Sequence, residues 1–111
     1  MKVRAWRFWT AASDSEAWFN HCDETALQEL TSVAGNRGVF VLWRTNDEET
    51  EFVLLSLWDD EDSAATKAAL TRALAYLERD EYALRHEVDG ADYGCVSRGA
   101  IALTAALSLE P

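Results

Sequence analysis

The sequence predicts an α+β domain in which two helices cover one face of an antiparallel sheet. Short apolar stretches of strand character are separated by two long segments whose apolar residues recur every three or four positions. The third of these stretches, Glu51 to Trp58, is apolar on both faces: Phe52, Leu54 and Trp58 alternate with Val53, Leu55 and Leu57. Such a strand needs a cover on both sides, so we expect a second copy of the chain on the side that the helices leave open.

Length and charge restrict the class of protein. With 111 residues the chain forms one domain, and ten Lys and Arg against twenty Asp and Glu give a formal charge of −10. This excess repels phosphate backbones and anionic lipids, so nucleic acid and membranes are not expected partners. The absence of a signal-peptide pattern and of a long apolar run predicts a cytoplasmic protein. Cys22 and Cys95 lie far from any metal-binding pattern, so we expect reduced thiols and no metal site.

The first half of the chain predicts a strand, a helix and a hairpin. The strand covers Val3 to Thr10, and the helix starts at a capping box formed by Ser13 and Glu16. The helix is expected to end at Gly35 in the left-handed conformation. The positions that form its apolar stripe are Trp18, Phe19, Cys22, Ala26, Leu27, Leu30 and Val33. The hairpin pairs Val39 to Arg44 with Phe52 to Trp58 through an acidic loop, Thr45 to Thr50.

The second half predicts one more helix and a last strand. The acidic run Asp59 to Asp62 is typical of a helix start, where the dipole favours negative charge. A helix follows from Ala64 to about Arg79, with the inward positions Ala65, Ala68, Leu70, Leu74 and Leu77. The last strand is expected within residues 87–97. Residues 1–98 then form a ferredoxin-like βαββαβ domain with a four-stranded antiparallel sheet, and the apolar tail 99–111 is expected to pack on the dimer partner.

Several segments resemble the antibiotic biosynthesis monooxygenase domain of the dimeric α/β barrel superfamily. They are Trp6-Arg7, Glu24-Thr25, Gly35-Asn36-Arg37-Gly38, Thr50-Glu51-Phe52 and Ser56-Leu57-Trp58-Asp59, in the family's order and near its spacing. The family's last strand has a His-Tyr-Glu-Val-like pattern. The stretch expected to correspond here is Asp92-Tyr93-Gly94-Cys95, which contains no histidine.

The resemblance implies a homodimer in which two sheets pack face to face as a barrel, with a pocket in each subunit. It also implies the first functional hypothesis, a cofactor-independent monooxygenase of small aromatic compounds such as polyketides or quinols. This chemistry needs a dry aromatic pocket and a base, and histidine suits the base best. We take His21, one helical turn from Trp18, as the candidate catalytic base, with His86 as the other histidine of the chain.

The candidate walls of the substrate cavity are four aromatic residues, Trp6, Phe8, Trp18 and Trp43. Large aromatic side chains also dominate protein cores and dimer interfaces, so a structural role for them stays open. The alternative hypothesis is therefore a non-catalytic small-molecule-binding or structural dimer of the same fold. A pocket that holds a buried histidine would favour the enzyme, and a core closed by tryptophans would favour the alternative.

No cofactor is expected. The haem-degrading relatives combine an asparagine on the first strand with a tryptophan and a histidine ligand on the second helix. Arg7 and Lys67 take the first two places here, and no histidine lies between Asp59 and Arg85. The sequence also contains no glycine-rich phosphate loop, metal motif or nucleophile elbow.

Overall fold

The chain folds as an antiparallel sheet with its helices on one face. The structure, a computed structural model, describes residues 1–59, 63–88 and 93–95. The elements in these ranges are β1 (Lys2–Ala11), a 3-10 turn (Ala12–Asp14), α1 (Ser15–Glu24), α2 (Ala26–Thr31), β2 (Asn36–Thr45), β3 (Glu49–Trp58), α3 (Ala64–Glu78), β4 (Ala83–Val88) and β5 (Tyr93–Gly94). The sheet order is β2-β3-β1-β4, with β5 also paired to β1, and all pairs are antiparallel. This is the ferredoxin-like topology that the sequence predicts, with β5 as an additional short strand.

The register of β1 and β3 builds the core. Phe8 lies opposite Phe52 and Trp6 opposite Leu54, and all four side chains are buried on the face that the helices cover. Trp18 of α1 packs into this face, with its ring centroid 4.3 Å from Phe52 and 5.4 Å from Phe8. Burial of large apolar side chains of this kind is the main driving force for folding.

The other face of the sheet, which we call the open face, faces away from the described helices. One half of it is apolar, with the side chains Val3, Ala5, Phe40, Leu42, Val53, Leu55 and Leu57. The other half carries ion pairs, in which Glu51 contacts both Arg7 and Arg44, and Glu49 contacts Arg85. The hydrogen bonds from Arg85 hold the pKa of Glu49 below its usual range. The two-sided apolar character predicted for β3 is therefore present in the structure.

The first helical segment differs from the sequence prediction of one continuous helix. It breaks at Thr25, whose hydroxyl donates to the His21 carbonyl at 2.7 Å. A threonine that bonds the carbonyl four residues back competes with the helical backbone pattern, and this favours a bend. The predicted capping box is also wrong: no side-chain cap bond forms at the start of α1, and Ser15 donates instead to the Ala12 carbonyl at 2.9 Å.

Among the glycines that the structure describes, the one in the left-handed region is Gly38 rather than Gly35. Gly38 has φ 137° at a register shift between β2 and β3, and its N–H is held by the Asn36 side chain at 2.9 Å. A β-bulge of this kind requires a conformation that other residues rarely adopt. The helix before it ends earlier than predicted, at Thr31 of α2.

The second half of the chain differs from the sequence prediction in two further ways. The buried positions of α3 are Thr66, Ala69, Leu70, Ala73 and Leu77, so the predicted inward residues Ala65 and Ala68 are exposed and Leu74 is only half-buried. The fourth strand, Ala83–Val88, contains His86 and begins earlier than the predicted last strand, whereas the short β5, Tyr93–Gly94, lies inside the predicted range. The predicted tail and Asp60 to Asp62 lie outside the described residues. In the described part of the chain, no helix is long and apolar enough to cross a membrane.

Candidate functional site

Three of the four predicted wall residues form packed core. Trp6, Phe8 and Trp18 are buried on the helix-covered face of the sheet, and the rings of Phe8 and Trp18 lie in direct contact. Their positions follow from the alternation of β1 and from the apolar stripe of α1. The structure therefore brings these three residues together, in contact with one another.

Two indole N–H groups in this core have no acceptor among the described residues. They belong to Trp6 and Trp18, whereas the indole of Trp58 donates to Ser56 Oγ at 2.9 Å. Leaving a buried donor without a partner costs about 1–3 kcal/mol, so most proteins avoid it. These two groups are the polar atoms of the core that an oxygen of a bound molecule could satisfy.

The fourth predicted residue, Trp43, lies elsewhere and is 65% exposed. It sits on edge strand β2 opposite Phe52, on the same side of the sheet as α1. A groove of about 220 Å³ runs between α1 and β2, and we call it the α1–β2 groove. Its lining residues are Ser15, Glu16, Phe19, Trp43, Thr45 and Phe52. Phe19 and Phe52 were not predicted as site residues, because both fit the core pattern of their elements.

His21 is held by a buried carboxylate. Its Nδ1 lies 2.8 Å from Asp80 Oδ2, and the side chain of His21 is 39% exposed while that of Asp80 is 1% exposed. The second oxygen of Asp80 accepts the backbone N–H of Tyr82 at 2.8 Å, which fixes the carboxylate at the end of α3. A carboxylate accepts from Nδ1–H, so Nε2 is the nitrogen of this ring that can accept a proton. Asp80 was not predicted as a site residue, because 59 residues separate it from His21 in the chain.

The structure does not bring His21 and Trp43 together. Successive residues of an α-helix are rotated by about 100°, and the buried residues Trp18 and Cys22 mark the face of α1 that points to the sheet. Phe19 then lies on the flank facing β2, and His21 on the opposite flank, facing Asp80. His86 is on this second side as well, with its ring centroid 5.9 Å from that of Phe8.

Cys22 is a structural thiol. Burial, together with the nearby carboxylates of Asp23 and Asp80, raises its pKa to about 12. The nucleophilic and metal-binding form of cysteine is the thiolate, which this environment disfavours. Among the described residues, no group of three or more His, Cys, Asp and Glu side chains could hold a metal ion.

The fold and the groove define a small ferredoxin-like α+β protein with a ligand-sized surface groove. A scan against protein-family models and a search of curated proteins both found no match. Among solved structures, the chain is similar to SnoaB, a cofactor-independent oxygenase from Streptomyces nogalater, with 18% identity and a TM-score of 0.48 over 81% of this chain and 92% of that one. It is also similar to the C-terminal domain of the MgtC protein from Mycobacterium tuberculosis, with 16% identity and a TM-score of 0.47 over 78% of this chain and 84% of that one. Neither similarity assigns a ligand or a reaction to this chain.

The raised pKa of Cys22 predicts that its thiol reacts slowly in the native protein. At pH 8 a thiol with a pKa of about 12 is roughly one part in 10⁴ thiolate, whereas Cys95 is only partly buried. With the disulfide reagent DTNB at pH 8, we expect Cys95 to react within minutes and Cys22 only after unfolding in urea. The variant Cys95→Ser isolates Cys22, and fast reaction of that variant without urea would contradict the assignment.

Proposed function

We propose that this chain binds a small aromatic molecule in the α1–β2 groove. The observation that carries the proposal is Trp43, which is 65% exposed beside Phe19 and above Phe52 in a concave surface of about 220 Å³. Pockets that bind drug-sized ligands have volumes of about 300–1,000 Å³. This groove is smaller, so it suits a compound of one or two rings. A flat ring here would stack on Trp43 and Phe19, and each offset-stacked pair contributes about 0.5–1.5 kcal/mol beyond the buried area.

The proposed unit is a homodimer formed through the open face. Its apolar half, with Leu42 more than half exposed, is a contiguous patch of the kind that marks protein–protein interfaces. A second copy supplies a matching apolar half by symmetry, because an isologous interface pairs a surface with itself. The dimer leaves the groove accessible, because Trp43 and the helices lie on the other side of the sheet.

A second candidate function is cofactor-independent oxygenation of an aromatic substrate that would have to enter between the helices and the sheet, where Trp6, Phe8 and Trp18 now form packed core. The indole N–H groups of Trp6 and Trp18, which have no acceptor among the described residues, favour it. His21 lies one turn from Trp18 with its Nδ1 bonded to Asp80, so Nε2 would act as the base. An anthrone deprotonated in this way can reduce O₂ directly to give an anthraquinone and water, and the indole donors would stabilise the oxyanion that develops.

The binding proposal predicts that Trp43 responds to ligand. With 2-naphthol as the probe, we expect the indole N–H signal of Trp43 to shift in two-dimensional NMR. We expect Trp43→Ala to weaken binding by about tenfold or more, because it removes one wall of stacking area. The control is Leu84→Ala, a change at another exposed apolar residue, on β4, which should leave affinity unchanged. Equal binding by Trp43→Ala and the unchanged protein would contradict the proposal.

The oxygenase candidate predicts oxygen uptake by the purified protein with anthrones and quinols. We expect His21→Ala to lower the rate by about 10²–10⁴-fold, the usual contribution of a general base. Trp18→Phe removes one indole donor while keeping an aromatic ring, and we expect it to lower the rate in a protein that is still folded, although the smaller ring leaves a cavity that lowers stability. Uptake that is unaffected by either change would exclude His21 and Trp18 from the reaction.

A further inference from the structure

The rim of the α1–β2 groove is acidic. Glu16 lines the groove itself, and Asp14 lies two residues before it, at the start of α1. The β2–β3 loop is attached to the same region by a hydrogen bond from the Ala12 N–H to the Glu48 carbonyl at 2.9 Å. This bond holds the segment containing Asp47 and Glu48 beside the start of α1. Four carboxylates therefore belong to the segments around one mouth of the groove.

None of these four carboxylates forms a salt bridge within the described ranges. Arg44 and Arg85 belong to the open face and are paired with Glu51 and Glu49. In the part of the chain that the structure describes, no lysine or arginine lines the groove. The helix dipole accounts for acidic residues at the start of α1, but it does not account for the two on the loop. The potential at the mouth is therefore negative, in a chain whose formal charge is already −10.

The walls of the groove add a second attraction for positive charge. Phe19 and Trp43 line the groove with aromatic rings, and the faces of such rings attract cations, tryptophan most strongly. One such interaction contributes about 0.5–2 kcal/mol, depending on how far water is excluded. Aromatic walls combined with an unpaired carboxylate form the arrangement that proteins use to bind organic ammonium groups.

We infer that the α1–β2 groove selects an organic cation, so that its ligand is a small alkylamine that carries an aromatic ring, in its protonated form, or the quaternary ammonium compound of the same shape. The inference rests on the proposed function, because it names the class of the ligand for the same groove. The ring stacks on Trp43 and Phe19, and the ammonium group faces Glu16. A neutral aromatic ligand would keep the stacking but would lack the attraction between its charge and the acidic rim. An aromatic carboxylate would be repelled by the rim.

The test uses three probes with one ring and different charge: benzylammonium, benzyl alcohol and benzoate. Affinities are measured from the Trp43 indole signal by NMR at pH 7 and low salt. We expect benzylammonium to bind about tenfold more tightly than benzyl alcohol and benzoate to bind most weakly. We expect this preference to shrink as salt rises, because salt screens the interaction between exposed charges.

A pair of charge-neutralising variants assigns the preference to the groove. Glu16→Gln should remove about two- to tenfold of the benzylammonium affinity and leave that of benzyl alcohol unchanged. Glu24→Gln makes the same change on the exposed surface of α1, outside the groove lining, and should have no effect. An equal loss of benzylammonium affinity in both variants would mean that the preference depends only on the net charge of the protein. That result would overturn the inference.

The outcomes separate this inference from the proposed function. If 2-naphthol or benzyl alcohol shifts the indole signal of Trp43 and benzylammonium binds no more tightly than benzyl alcohol, the cation preference is overturned. The proposal that the groove binds aromatic molecules is then still supported. If no probe shifts Trp43, the groove is not a ligand site and both proposals fail.

Discussion

The alternation of strand β3 is the constraint on which the rest of this structure depends. Successive side chains of a strand point to opposite faces, and a shift of one residue would exchange the two faces. In β3, Phe52 and Leu54 enter the core that α1 and α3 cover, while Val53 and Leu55 enter the open face. Since β3 is paired on both sides, its register fixes the faces of β1 and β2 as well. The core, the open face and the groove all follow from this one register.

The order of the strands then determines what each side of α1 can do. Because β2 is the edge strand of the described sheet, Trp43 has a neighbour on one side only, and its ring remains exposed beside Phe19. On the other flank of α1, His21 meets the buried carboxylate of Asp80. Helix α1 therefore separates an open aromatic groove from an oriented imidazole that lies over the packed core. Because of this separation, ligand binding and oxygenation would depend on different residues.

The sequence predicts the order of the elements well, because their apolar periods differ clearly between strand and helix. On α3 it predicts the buried Leu70 and Leu77 but not Ala69 and Ala73, because the many alanines of this helix give little contrast between inward and outward positions. The break at Thr25 depends on one side-chain hydrogen bond, which leaves no trace in the apolar pattern. The pairing of Asp80 with His21 joins distant segments, and only the folded chain brings them together.

We propose that both faces of this sheet are covered, one by the helices and the other by a second copy of the chain. The most direct test is the molar mass in solution, measured by light scattering at micromolar concentration. The account predicts twice the 12.4 kDa of one chain for the unchanged protein. It also predicts a folded monomer for Leu55→Asp, which places a charge in the apolar half of the open face. A monomeric mass for the unchanged protein would contradict the claim.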